Sequence, residues 1–323
     1  MSDNKNLLSI IGYSGLGDRL CDIIGSYIIA KYLGYKLNII FNPVIGLKHA
    51  WGNTHIYDIR LFDFNDENIK IFNNQNDINL NYNYYIRINH HAISSSVYSI
   101  YKFIKNFKDI TIGEIIDNYY NYVNEIIKPS KLIQDNIPEN LNNCYGIHLR
   151  KSDTIKPNDN NHGATLEQYN IMINLLFNDI CNIILNENEP SFLLVSEDYE
   201  WKNYYKNELL KFANNNNKKI NIINLNYDYS NIYDNYNDVL DLFCLSKCKK
   251  IFQCCKHSTF SVCAAIIGNV EIINYSHIFE SYKTYLIHLY NPLIKINNNK
   301  ISNIDNINYI LSIHEPHIIS NLI

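Results

Sequence analysis

Four short stretches of this sequence gather residues able to hold an anion or move a proton. The first, CYGIHLRKSDTIKP at 144–157, is an apolar run ending in His148, Arg150, Lys151 and Asp153. Read as a strand, it carries at its end a permanently charged guanidinium whose forked donors suit phosphate oxygens. His148 can orient a neighbour or present its backbone to a base, and Asp153 can hold Arg150 or meet a hydroxyl. The second, FLLVSEDYEW, ends a further apolar run in Ser196, Glu197 and Asp198. Carboxylates there can accept hydrogen bonds from ribose hydroxyls, or serve only the N-terminus of the next helix. In the third, CCKHSTFSVCAA, Ser258 stands at an N-cap position, where free amides and the Ser258 and Thr259 hydroxyls can receive a phosphate. The fourth, GYSGLGDRL, sets glycines at 12, 15 and 17 between a strand and a helix, so that backbone can approach a ligand closely.

Each stretch alone has a plainer reading as an ion pair, a helix cap or a tight turn. The glycine spacing also fits a dinucleotide loop of the short-chain dehydrogenase type. Tyr98 and Lys102 in YSIYK supply that chemistry's Tyr-x-x-x-Lys, but among 27 tyrosines such a match comes cheaply. Taken together the four point elsewhere, because three successive strands of one half end in phosphate-type or nucleotide-type groups. A glycine-rich loop from the other half faces them.

The elements that must position these groups follow from periodicity. In the second half, apolar runs at CYGIHLR, FLLVSED, KINIINL, KKIFQCC and VEIINY alternate with helical patterns at about 165, 199–213, 237–247 and from 259. Such alternation predicts a parallel sheet with helices on both faces. TLEQ has the form of a capping box opening a helix at Thr165, with Leu166, Tyr169, Ile173 and Leu176 on one face. The first half opens with the strand LLSIIGY, a helix over 19–33 and the strand KLNIIFN. Asn-rich loops then blur the pattern around NIKIF and YYIRINHH. Thr111 and Glu114 form a second capping box, and Pro129 ends that helix. Pro129, Pro138 and ENLNN place a domain boundary between about 128 and 143, giving domains of 1–140 and 141–323. The segment after 291 is a candidate helix that packs back across them.

At 323 residues two domains are the prior, and a hydrophobic share of 46% is ordinary for a globular chain. The net charge of -4 excludes a general nucleic-acid coat. The eight cysteines contain no CxxC pair and read as buried, reduced thiols. No signal peptide and no apolar run long enough to span a membrane is apparent, so a cytoplasmic, soluble protein is expected.

HLRKSD, VSEDYEW and HSTFSVCAA resemble, in order and approximate spacing, the motifs of GDP-fucose-dependent fucosyltransferases. These are the α1,2 and α1,6 enzymes and their protein O-fucosylating relatives. GLGDRL is similar to their N-terminal G-x-G-[ND]-x-L loop. The resemblance covers residues 12–20 and about 145–275. It implies a GT-B fold, an α/β architecture of two Rossmann-like domains facing each other across a cleft. The donor would lie in the C-terminal domain, the acceptor glycan or other hydroxyl on the N-terminal side. It further implies inversion at the anomeric carbon, no obligatory metal, and no cofactor beyond the GDP-sugar itself.

Carried over, Arg150 would grip the donor's β-phosphate, with Ser258, Thr259 and the adjoining Phe260 at the same pyrophosphate. His148 and Asp198 would lie near the guanosine, with Asp228 as an alternative for the base. Gly15 and Gly17 would face the donor, and Lys151 stands where several relatives carry a second arginine. The catalytic base is left open among Asp159, Asp153 and Asp18. The chain departs from the family in lacking the α1,6-type glutamate downstream of HLRKSD, and STFSVC replaces the α1,2-type STFSWW. No D-x-D pair is present, which favours cationic side chains over a metal at the leaving group. The rivals are a transferase using another nucleotide deoxysugar, a non-catalytic sugar-nucleotide or glycan binder, and a nicotinamide-dependent reductase.

Overall fold

The computed structural model describes residues 6–10, 15–41, 57–64, 66–72, 85–89, 97–150, 164–225, 227, 235–255 and 258–275. Two sheets organise them, and every strand pair within each is parallel. The first comprises β1 (Asn6–Ile10), β2 (Lys36–Ile40), β3 (Ile69–Phe72) and β4 (Tyr85–Asn89), ordered β3-β2-β1-β4. The second comprises β5 (Cys144–Leu149), β6 (Ser191–Ser196), β7 (Asn221–Ile223), β8 (Lys250–Cys254) and β9 (Glu271–Asn274), ordered β7-β6-β5-β8-β9. In each, the strand order reverses beside the sheet's first strand. Open α/β sheets bind ligands at that crevice, outside the carboxyl ends of the strands.

Helices α1 (Leu16–Leu33), α2 (Val97–Lys105), α3 (Ile112–Ile126) and α4 (Lys131–Gln134) belong to the first half. The second half carries α5 (Leu166–Asn186), α6 (Tyr199–Asn215), α7 (Tyr236–Ser246) and α8 (Thr259–Gly268). Both expected capping boxes form, at Thr111/Glu114 and at Thr165/Gln168. Leu166 departs from its expected face: it sits in the first helical position and is exposed, while Tyr169, Met172, Leu176 and Ile180 carry the buried stripe. YSIYK lies on α2, a helix that the blurred pattern of the first half did not predict. Helix α1 begins at Leu16, a turn earlier than its apolar pattern indicated. It ends at Gly34, whose φ of 67° is the left-handed conformation that glycine adopts without penalty.

Strand alternation divides the second half's core. Ile147, Leu149, Phe192, Leu194 and Phe252 pack with α5 and α6, whereas Leu193, Val195 and Ile251 face the α7 and α8 side. The cluster on that second side does not stop at the sheet. It continues through α8 into α1, α3 and β2, so the two halves share one buried apolar mass. All eight cysteines are buried and unbridged. Among the described residues no helix is long and apolar enough to cross a membrane.

A polar staple holds α1 to α3 and to the turn before β3. The Tyr27 hydroxyl lies 2.9 Å from Asp66 Oδ2 and 2.6 Å from Glu125 Oε2, and one phenolic proton cannot serve both. Lys31 Nζ, 2.9 Å from Asp66 and 3.3 Å from Glu125, meets the remaining charge. Burial pushes the Asp66 carboxyl up, but hydrogen bonds from Lys31, the Asn68 amide and Tyr27 outweigh it and hold the group below its usual value. A depressed carboxylate stabilises the fold above its unfolded pKa, and that contribution disappears as pH falls through the folded one. Asp66→Asn is therefore expected to lower stability at neutral pH by up to about 1 kcal/mol. The difference should vanish in strong acid, below the depressed pKa of the folded carboxyl, where both forms are neutral. Urea unfolding at the two pH values checks this, and a deficit that persists in acid would assign the effect to packing.

Candidate functional site

Parallel register brings the sequence motifs to one edge. Leu149 pairs with Ser196 on one side and Cys254 on the other, so β5, β6 and β8 end level. Arg150 leaves β5 there, and its Nε lies 3.7 Å from Glu197 Oε1, an ion-pair separation too long for a hydrogen bond. Both side chains are partly exposed, so this pairing adds little to the fold. Asp198 takes the plainer role first: its Oδ1 accepts from the Trp201 amide at 2.9 Å and caps α6.

Beyond the neighbouring strand β8, α8 begins at Thr259 with Ser258 before it. This serine occupies the N-cap position without making a side-chain cap bond. Its hydroxyl is buried and, among the described residues, has no hydrogen-bond partner, and the residue as a whole is only 2% exposed. A buried hydroxyl left unpaired costs about 1–3 kcal/mol, so a ligand oxygen is the natural complement. Thr259 and Phe260 follow in the first turn, each half-buried. The site thus joins a helix N-terminus, an unsatisfied hydroxyl and a guanidinium at one switch point.

The first half reaches the same place through α1. A Cβ on Gly17 would fall 2.5 Å from Phe260 N and Thr259 C and 2.6 Å from Thr259 O. Gly17 therefore seats the start of α1 on the backbone of α8, and its bare face meets a helix. Gly15 is exposed, with nothing within 4 Å of a Cβ placed there. Asp18 is half-buried in the first turn of α1.

Arg19 and Tyr57 were given no role in the sequence reading. Arg19 is fully buried, its Cζ 5.0 Å from the Tyr57 ring centroid. Burial pulls its guanidinium down to about 10, with Tyr57 and Asp18 pulling the other way. A cation in a helix's first turn opposes the macrodipole, which is the one signal that could have marked Arg19 in advance. Tyr57 is pushed up to about 12, chiefly by burial and also by Asp238, while Arg19, the Leu16 amide and Arg150 act against the rise. It remains a neutral phenol at physiological pH, in the electrostatic reach of both arginines. As one of many tyrosines it carried no sequence signal.

Beneath α8 runs a buried polar chain. His148 Nδ1 lies 3.0 Å from Ser261 Oγ and 3.7 Å from Cys255 Sγ. Ser261 Oγ donates to Gln253 Oε1 at 2.8 Å, and Gln253 Nε2 donates to the carbonyls of Cys255 and Ser258 at 3.2 Å each. The His148 ring also lies 5.3 Å from that of Phe260. Gly12, Lys151, Asp153, Asp159 and Asp228 lie outside the described residues. Among the described residues, no group of three or more His, Cys, Asp or Glu side chains could hold a metal ion.

Two parallel α/β sheets, meeting through helices that start at their switch points, define a GT-B-like fold. No protein-family model and no curated protein matches the chain. Among solved structures, a point mutant of Arabidopsis thaliana FUT1 in complex with GDP superposes with a TM-score of 0.53 at 10% identity, covering 84% of this chain and 70% of that one. The fucosyltransferase NodZ from Bradyrhizobium aligns at TM-score 0.45 and 11% identity, over 84% and 96% of the two chains. POFUT1 in complex with GDP-fucose aligns at 0.42 and 10%, over 84% and 95%. The likeness to FUT1 establishes the fold; the other two fall below the level at which architecture can be argued.

Proposed function

We propose that this protein is a glycosyltransferase that moves a fucosyl residue from GDP-fucose to a glycan or other hydroxyl acceptor, with inversion and without a metal. The observation that carries this reading is the buried Ser258 hydroxyl, unpartnered among the described residues, at the N-terminus of α8, which follows β8, the strand beside the one that Arg150 ends. Those groups are suited to a diphosphate. The order of HLRKSD, VSEDYEW and HSTFSVCAA, and the GDP in complex with FUT1, support guanosine as its nucleoside.

The protein's part in such a transfer is electrostatic. As the glycosyl bond breaks, the electron pair leaves with GDP, and Arg150 with the Thr259 amide and Ser258 hydroxyl would meet the growing charge. The acceptor hydroxyl must lose a proton as it attacks, and Asp18, Asp153 or Asp159 would take it. Residues 1–140 would form the acceptor side and 141–323 the donor side. A nicotinamide cofactor is disfavoured at GLGDRL, because Gly17 is already pressed against the peptide of α8.

A thermal-shift panel tests the donor. A ligand at a hundred times its Kd adds about 2.7 kcal/mol to the folded state. GDP and GDP-fucose are expected to raise the melting temperature, with EDTA present as well as without it, and UDP and NAD to do so weakly or not at all. Greater stabilisation by UDP would overturn the donor, and preference for NADPH would restore the reductase.

A further inference from the structure

The polar chain under α8 has a single consistent assignment of protons. Gln253 has two N–H donors and one carbonyl oxygen, and its nitrogen faces two backbone carbonyls, of Cys255 and Ser258. Turning the amide over would set three oxygens against one another, so Oε1 must face Ser261. Oε1 then needs a proton, and the Ser261 hydroxyl supplies it at 2.8 Å. With that proton committed, Ser261 Oγ can only accept from His148, and the proton between them must sit on Nδ1. In a neutral ring the acceptor lone pair is consequently on Nε2. His148, Gln253 and Ser261 are at most 6% exposed, and His148 and Gln253 are register partners on β5 and β8. The chain is therefore dry and has little freedom to rearrange.

The same bonds orient the peptide where α8 begins. In a trans peptide the carbonyl and the following N–H point in opposite directions, and no described peptide is cis. Holding the Ser258 carbonyl against Gln253 turns the Thr259 N–H away from it. That N–H is one of the groups placed at the diphosphate above.

We propose that Gln253 and Ser261 are positioning residues for the nucleotide: they fix His148 as a donor through Nδ1 and set the amide that opens α8. Neither touches the ligand. They act by presenting His148 and Thr259, and this rests on the reading of the α8 terminus as a diphosphate site.

The test combines a spectroscopic and a binding measurement. In protein labelled with 15N-histidine, Nδ1 of His148, assigned by comparison with His148→Gln, is expected to carry a proton. Ser261→Ala removes the acceptor and should shift that proton off Nδ1 in part or whole. Its Kd for GDP is expected to rise about tenfold, the worth of a single oriented hydrogen bond. Gln253→Glu, nearly isosteric but placing an oxygen against two carbonyls, should weaken GDP at least as much. If it does not fold, Ser261→Ala alone decides. An unprotonated Nδ1 in the wild type, a resonance unmoved by Ser261→Ala, or unchanged GDP affinity in the folded variants would each overturn the proposal. Failure of the wild type to bind GDP overturns the diphosphate reading instead, and the histidine spectrum still judges the proton assignment.

Discussion

Arg150→Ala is expected to fold normally and to turn over about a hundredfold or more slowly, the effect of withdrawing ~3–4 kcal/mol from a developing charge. The guanidinium stands partly exposed at a strand end, and its ion pair with Glu197 at 3.7 Å is of the kind that contributes little to the folded state. Leaving-group charge grows only as the bond breaks, which is why the loss should appear in kcat with donor and acceptor both saturating. Arg150→Lys should recover part of the rate, since the charge returns without the planar fork. Turnover near the wild-type value in a folded Arg150→Ala protein would mean that the cation merely decorates the sheet edge.

Gly17→Ala should have a comparably large effect by a different route. The added methyl meets backbone atoms of Thr259 and Phe260 at 2.5–2.6 Å, and backbone cannot rotate aside as a side-chain tip can. The starts of α1 and α8 must separate, at a cost of about 1–3 kcal/mol in stability for such overpacking. GDP affinity should fall with it, because the displaced turn contains Ser258 and Thr259. Gly15→Ala is the matched control for packing: a methyl there meets nothing within 4 Å, so only the poorer N-cap that alanine makes for α1 should lower its melting temperature. Equal stability and GDP affinity in Gly17→Ala would show that the two helices part without strain.

The contrast between these glycines also marks what a sequence can and cannot reveal. Both read as ligand-facing members of one loop, because the pattern says only that a side chain is missing. Whether the missing Cβ makes room for a phosphate or for a helix depends on residues more than two hundred positions away. Local devices were legible for the opposite reason. The boxes at Thr111/Glu114 and Thr165/Gln168 are complete within four residues, and the β5, β6 and β8 runs announce burial on both faces. Helix α2 was missed because VYSIYKFIK follows a serine run and offers no capping pattern of its own. Arg19 against Tyr57, and Gln253 against Ser261, are contacts between elements, and neither partner is unusual alone. Gln253 was nonetheless conspicuous as the polar residue inside KKIFQCC, and a polar side chain in a doubly covered strand has to find buried partners.

The seating of α1 on α8 sets two helices side by side with their first turns level, each presenting the positive end of its dipole at the same place. Like poles repel, and in a buried setting little water screens them. Asp18 in the first turn of α1 softens the repulsion without removing it. A bound anion would act as a keystone between the two ends, drawing both toward itself. The seam is thus under an electrostatic tension that an anion bound there would relieve, so the grip between the two halves of the molecule would depend on whether that place is filled.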